Sequence, residues 1–180
     1  MKKYQIIYAD PPWRYENYGY AEAIRGVEKE YRTMALQDIK ALPIANMADE
    51  NCVLFLWVTA PLIEEGIEVL KAWGFKYKTK AFCWVKTNKN TMGLFWGMGN
   101  MTRSNTEDCL LGIKGKPNRL NADVHQVVMS DVMEHSHKPA IVREKIVRLM
   151  GGLPRIELFS RCKVDGWDCW GNEVESDITL

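Results

Sequence analysis

The chain is poor in histidine, in net charge and in long apolar runs. Its 180 residues include three histidines and five cysteines, and no two cysteines form a C-x-x-C pair. His135 and His137 sit at i, i+2 with no cysteine nearby, so they make no zinc pattern and we assign no metal ligand. The cysteines are odd in number and mostly inside expected strands, which reads as reduced core residues of a cytoplasmic protein rather than a disulfide framework. Net charge is +1, so there is no global electrostatic signal for nucleic acid, and any such contact must come from local patches. No stretch approaches the ~20 apolar residues of a membrane span, and Met1-Lys2-Lys3 leads into a strand too short for a secretory signal. Neither G-x-x-x-x-G-K-S/T nor G-x-G-x-x-G occurs, which removes the phosphate loop and speaks against nicotinamide or flavin.

What is present suits one globular unit. Apolar residues make up 47% and charged residues 26% of the chain, so we expect a single domain over residues 1–180. Tyr4–Ala9 and Cys52–Val58 are continuous apolar runs and read as buried strands. Thr33 is the expected N-cap of a short helix reaching Ala41. A second helix starts at Thr59-Ala60-Pro61 and ends at Gly74, and a third runs from Pro139 to Met150 before Gly151-Gly152. Further strands are expected at Tyr77–Lys86, Glu107–Ile113, Val124–Met129 and Arg155–Arg161, with a short one ending near Trp170. This alternation predicts a three-layer α/β fold with a parallel-type sheet.

The first strand runs into Asp10-Pro11-Pro12-Trp13. Neither proline can donate to a sheet ladder, and each turns the preceding residue away from helix. The result is a stiff turn carrying a carboxylate, backbone carbonyls and an indole at the strand end where α/β sheets bind ligands. That combination suits an aromatic amine attacking a methyl donor. The Asp10 carboxylate and the Pro11 carbonyl can accept hydrogen bonds from its two N–H groups and draw the nitrogen toward tetrahedral geometry, while Trp13 stacks on the base. A plain strand-ending turn with a buried tryptophan is the alternative.

Two loops stay open. Arg14 to Arg32 is either a surface loop or a substrate-gripping one. Thr87 to Thr106 is glycine-rich; it is a simple connection, or its aromatics beside Lys86, Lys89 and Arg103 meet bases and phosphates.

Several spaced blocks then carry a resemblance: Ala9–Trp13, Tyr31–Met34, Leu54–Thr59, Trp84–Asn88, Glu107–Leu110, Ser136–Pro139, Glu157–Arg161 and Trp170–Glu173. In this order the chain resembles the catalytic domain of the mRNA adenosine methyltransferase 70-kDa-subunit-like (MT-A-type) family, in its prokaryotic and phage branch. The resemblance implies a permuted Rossmann-like fold, with the catalytic turn first and the cofactor segment last. It implies transfer of a methyl group from S-adenosylmethionine to the 6-amino group of adenine. DNA is the expected substrate, RNA the alternative, and a non-catalytic binding subunit a third reading.

By the same resemblance Asp10, Pro11, Pro12 and Trp13 form the catalytic turn. Tyr31, Trp57, Glu107 and Lys138 would place the substrate. Asp10, His137, Lys138, Phe159, Arg161, Lys163, Asn172 and Glu173 would hold the cofactor. Two departures stand out: an acidic cofactor contact that some members carry before the turn has no counterpart in the nine residues preceding Asp10, and Ser160 replaces a frequent Gly or Ala. Target reading would fall to the two loops or to a partner subunit, with a homo- or heterodimer left open.

Overall fold

The computed structural model describes residues 2–14, 33–89, 93–99, 101–133 and 137–180. Tyr31, His135 and most of the Arg14–Arg32 loop lie outside the described residues. The strands are β1 Tyr4–Ala9, β2 Ala48–Val58, β3 Lys76–Thr87, β4 Thr106–Lys114, β5 Val127–Asp131, β6 Arg155–Leu158 and β7 Asp168–Trp170. The α-helices are α1 Leu36–Ala41, α2 Ile63–Ala72 and α3 Ile141–Met150. One seven-stranded sheet has the order β5-β3-β4-β2-β1-β6-β7.

The sheet lies between two helical layers. Alternating side chains send Ile7, Ala9, Leu54, Leu56 and Val58 to the face covered by Ile39 of α1 and Val69 and Leu70 of α2. Ile6, Tyr8, Phe55, Trp57, Phe82, Trp84 and Cys109 point to the other face, against Val142, Ile146 and Met150 of α3. Period-2 alternation is the physical reason one strand can serve two cores.

The sheet is mixed rather than wholly parallel. β1 pairs in parallel with β2 and β6, but β4 runs antiparallel to both β2 and β3. A loop rather than a helical crossover joins β3 to β4, so the chain returns antiparallel. This reversal places the start of β4 at the edge where β1, β2 and β3 end. β1 has its earlier partner β2 on one side and the late strand β6 on the other, so that edge is also the switch point of the sheet.

Local boundaries shifted for identifiable reasons. Thr33 does not cap α1, which begins after Ala35 without a side-chain cap. Met34 is held extended by donating its N–H to the Pro12 carbonyl and bridging Trp13, so the helix cannot start sooner. β5 begins at Val127 rather than Val124, because Gln126 is spent on β3: its side-chain amide donates to the Lys80 carbonyl and its own carbonyl accepts the Cys83 N–H. β6 stops at Leu158, since Phe159 turns to φ 60°.

The ends of β6 and β7 touch backbone to backbone. Ser160 N–H donates to the Trp170 carbonyl at 3.0 Å, and a Cβ on Gly171 would lie 2.1 Å from the Ser160 carbonyl oxygen. Gly171→Ala must therefore part the two strand ends. We expect it to destabilise the fold by about 1–3 kcal/mol, read as a lower denaturant midpoint with unchanged slope.

Candidate active site

The D-P-P-W turn is built by short-range bonds. Trp13 N–H reaches back to the Pro11 carbonyl at 2.9 Å, closing a three-residue turn. The Trp13 indole is only 7% exposed and donates its N–H to the Trp57 carbonyl at 3.0 Å. Trp13 is therefore a clamp fixing the turn to the end of β2, and the expected stacking surface for a base is not offered. The Pro11 carbonyl already accepts one hydrogen bond, and its second lone pair is what is left for an amine proton.

Asp10 extends the Ile6–Tyr8 alternation, so its carboxylate faces the α3 side. Glu107 starts β4 on that same side, and the reversed strand carries it to the same edge. Lys138, just ahead of α3, bridges the two: its ammonium lies 2.8 Å from Asp10 Oδ2 and 2.9 Å from Glu107 Oε1. Lys86, at the end of β3, binds the other Glu107 oxygen at 2.9 Å. Trp57 and Trp84 form aromatic floors, with the Lys138 and Lys86 ammonium groups 5.6 and 4.9 Å from their ring centres.

The two acids are pushed apart electrostatically. Burial lifts the Asp10 carboxyl above the ordinary aspartate range, opposed by one lysine and reinforced by Glu107. Glu107 is buried as well, but Lys138 and Lys86 outweigh that and hold it below the ordinary glutamate range. Asp10 and Glu107 together raise Lys138, so it stays an ammonium. Two carboxyls of unlike environment give one fixed anion and one group near which a proton can be handled.

Asp10 opens into a small cleft of about 190 Å³. His137, Lys138, Phe159 and Arg161 line it, with Tyr8, Arg143 and Glu157 as further walls. Arg143 clasps Glu157 through two bonds of 2.6 and 2.7 Å, so that buried glutamate is already neutralised. Phe159 sits in the left-handed region, a strain of about 1–3 kcal/mol that functional sites retain. Its ring meets Trp170 edge-on at 5.2 Å. A cationic, zwitterionic nucleoside needs a carboxylate, a flat apolar wall and groups for ribose hydroxyls. Asp10, Phe159 and the Arg161–Glu173 pair (3.6 Å) supply that set, so the residues fit the methyl donor.

The remaining expectations divide. Trp57 is wholly buried and gives its indole N–H to the Tyr8 hydroxyl at 2.7 Å. It supports Lys138 from beneath and presents no surface to a substrate. Lys163 is drawn to Asp177 and Glu175 of the C-terminal segment, at 3.4 and 3.9 Å, and does not line the cleft. Asn172 and Glu173 are exposed after β7, likewise outside the cleft lining, and Glu173 is tied to it through Arg161. Sequence reasoning did not assign the Lys86 bond to Glu107 or the Arg143–Glu157 clasp. Lys86 and Glu107 lie on separate strands, and Arg143 and Glu157 on a helix and the strand after it, so the fold alone sets both pairings; only the alternation of Glu107 and Glu157 into apolar strands hinted that these acids are buried.

The MT-A70 family model matches residues 4–173. The type II methyltransferase M.MunI of Mycoplasma sp is 36% identical over 190 residues, covering 96% of this chain and 78% of that protein. The N(6)-adenosine-methyltransferase MT-A70-like protein of Drosophila melanogaster is 33% identical, and the human N(6)-adenosine-methyltransferase catalytic subunit METTL3 is 32% identical. Each covers 97% of this chain, which spans only 28% and 29% of their lengths.

Lys138→Met leaves buried Glu107 with Lys86 alone and Asp10 without its ammonium partner, and should cost about 3–5 kcal/mol in chemical denaturation. Asp10→Asn should be neutral or stabilising, because its raised carboxyl makes the ionised form a penalty that disappears as pH falls through that value. Glu107 has the opposite sign. Its contribution is present above the ordinary glutamate value of ~4.3 and is lost as pH falls through its lowered one. Denaturation midpoints at pH 7 and below pH 4 check all three.

Proposed function

The chain belongs to the MT-A70 family of S-adenosylmethionine-dependent adenine methyltransferases, and from that premise we propose that it methylates the adenine 6-amino group in DNA. The observation that carries the chemistry is the position of Asp10, at the head of a proline-stiffened turn and at the mouth of the cleft. The likeness to a type II methyltransferase along most of that protein's length favours DNA. The likeness to N(6)-adenosine-methyltransferases favours RNA as the second reading.

S-adenosylmethionine, when bound, supplies a methyl group on a good leaving group, so no covalent enzyme intermediate is required. The chain's own task is to present the amine. Asp10 and the spare lone pair of the Pro11 carbonyl accept hydrogen bonds from its two N–H groups, and the nitrogen lone pair is then aimed into the cleft. Lys138 keeps Asp10 oriented, and Glu107 keeps Lys138 charged. Asp10 is the local acceptor for the proton released on transfer. The catalytic turn precedes the cofactor segment in the chain, which supports the permuted order. In a duplex the adenine must leave the stack, at a cost of about a few kcal/mol.

The test is transfer of labelled methyl to matched DNA and RNA oligonucleotides, single- and double-stranded. We expect label in DNA adenine, abolished in Asp10→Ala with the fold retained. Near-normal transfer by that variant would refute the role of Asp10, and label in RNA alone would replace the substrate. Asp10 accepts only when ionised, so kcat/KM should fall as pH drops through a value above the ordinary ~3.9 of aspartate. An acid limb at or below that ordinary value would contradict the buried setting of Asp10.

A further inference from the structure

The described residues of the connection between β3 and β4 fold back as a hairpin. Phe95 N–H donates to the Lys86 carbonyl, and Lys86 N–H to the Asn105 carbonyl, both at 2.8 Å. The Asn88 side-chain amide donates to the Leu94 carbonyl at 3.1 Å, and Gly97 bridges Ser104 in antiparallel fashion. A Cβ on Gly97 would lie 2.0 Å from the Ser104 carbonyl oxygen, and one on Gly99 1.7 Å from that of Thr102. The two arms therefore approach so closely that only glycine fits.

This arm displays what a fold normally hides. Trp96 is 72% exposed, and the Arg103 guanidinium carbon sits 4.9 Å from its ring centre. The guanidinium thus lies against the indole while most of the residue stays exposed to solvent. Between Thr87 and Thr106 the sequence carries Lys89 and Arg103 and no acid, which complements a phosphate backbone. The arm is rooted at Lys86, whose ammonium holds Glu107, so it is continuous with the catalytic edge.

We propose that this hairpin grips the strand bearing the target adenine, with Trp96 stacking on a neighbouring base and Arg103 addressing a phosphate. The inference rests on the nucleic-acid methyltransferase reading and names a positioning surface for it. Stacking on an aromatic tolerates any base, so the grip adds affinity without sequence preference. It acts equally before and during transfer, so it belongs to KM rather than kcat.

The experiment compares wild type with Trp96→Ala, Trp96→Phe and Arg103→Ala. Binding of labelled DNA and RNA oligonucleotides is followed by anisotropy at several salt concentrations, and methyl transfer is measured on the same oligonucleotides. Trp96→Ala should raise Kd and KM between about five- and a hundredfold with kcat nearly unchanged, and Trp96→Phe should recover most of that loss. Arg103→Ala should lower the slope of log Kd against log salt by about 0.7–0.9. Unchanged Kd and KM in Trp96→Ala would overturn the grip while leaving the methyltransferase reading intact. A binding loss that follows a dimer-to-monomer change in light scattering would overturn it too, and assign the patch to a second copy. Wild type that labels RNA and not DNA would refute only the DNA substrate, with the hairpin then judged on RNA. Wild type that binds neither polymer would overturn both.

Discussion

One lysine between two carboxylates organises the site. Lys138 has to be an ammonium, because Asp10 and Glu107 converge on it from strands that start and end at the same edge. A buried ion cluster of this kind is seldom a net source of stability, since desolvation offsets much of the attraction. Its value lies in asymmetry. Glu107 holds two cations and remains a fixed anion, whereas Asp10 shares one and keeps its outward oxygen for a ligand. With a neutral residue at 138 the two acids would repel, and the turn would lose the partner that aims it.

The rest of the structure supports that arrangement through rigidity. Two prolines and the buried Trp13 indole hold the turn, and Trp57 and Trp84 floor the lysines. On the cofactor side, the left-handed Phe159 and the close Gly171–Ser160 contact fix the ends of β6 and β7. Each is a local strain or a steric limit that the surrounding core overrides. Such features are what a site needs when its work is to hold an amine and a donor in line rather than to form a bond with either.

The substrate side is organised differently. With a net charge of +1 the chain has no broad basic face, so affinity for a polyanion must be local. The acid-free hairpin between β3 and β4 concentrates charge and aromatic surface beside the catalytic edge, where they add most. The same β-reversal that delivers Glu107 also creates this hairpin, so substrate grip and carboxylate pairing share one topological cause.

The sequence by itself determined the elements with strong local signals. Apolar runs marked β1 and β2, glycine marked the ends of α2 and α3, and Asp10 was recognisable because two prolines must end a strand. The blocks around Glu107, Lys138 and Arg161 were legible as a family pattern in the right order. Tertiary structure decided what those residues do to one another. Nothing in the alternation of β4 states its direction, yet only the antiparallel course brings Glu107 to Asp10. Likewise Trp13 and Trp57 looked like contact surfaces in the sequence and became clamps in the fold. Whether an indole is buried depends on what packs over it, and here that is supplied by segments distant in the chain. Lys163 was separated from the cleft for the same reason: its carboxylate partners lie in the C-terminal segment, a pairing that distance along the chain does not reveal.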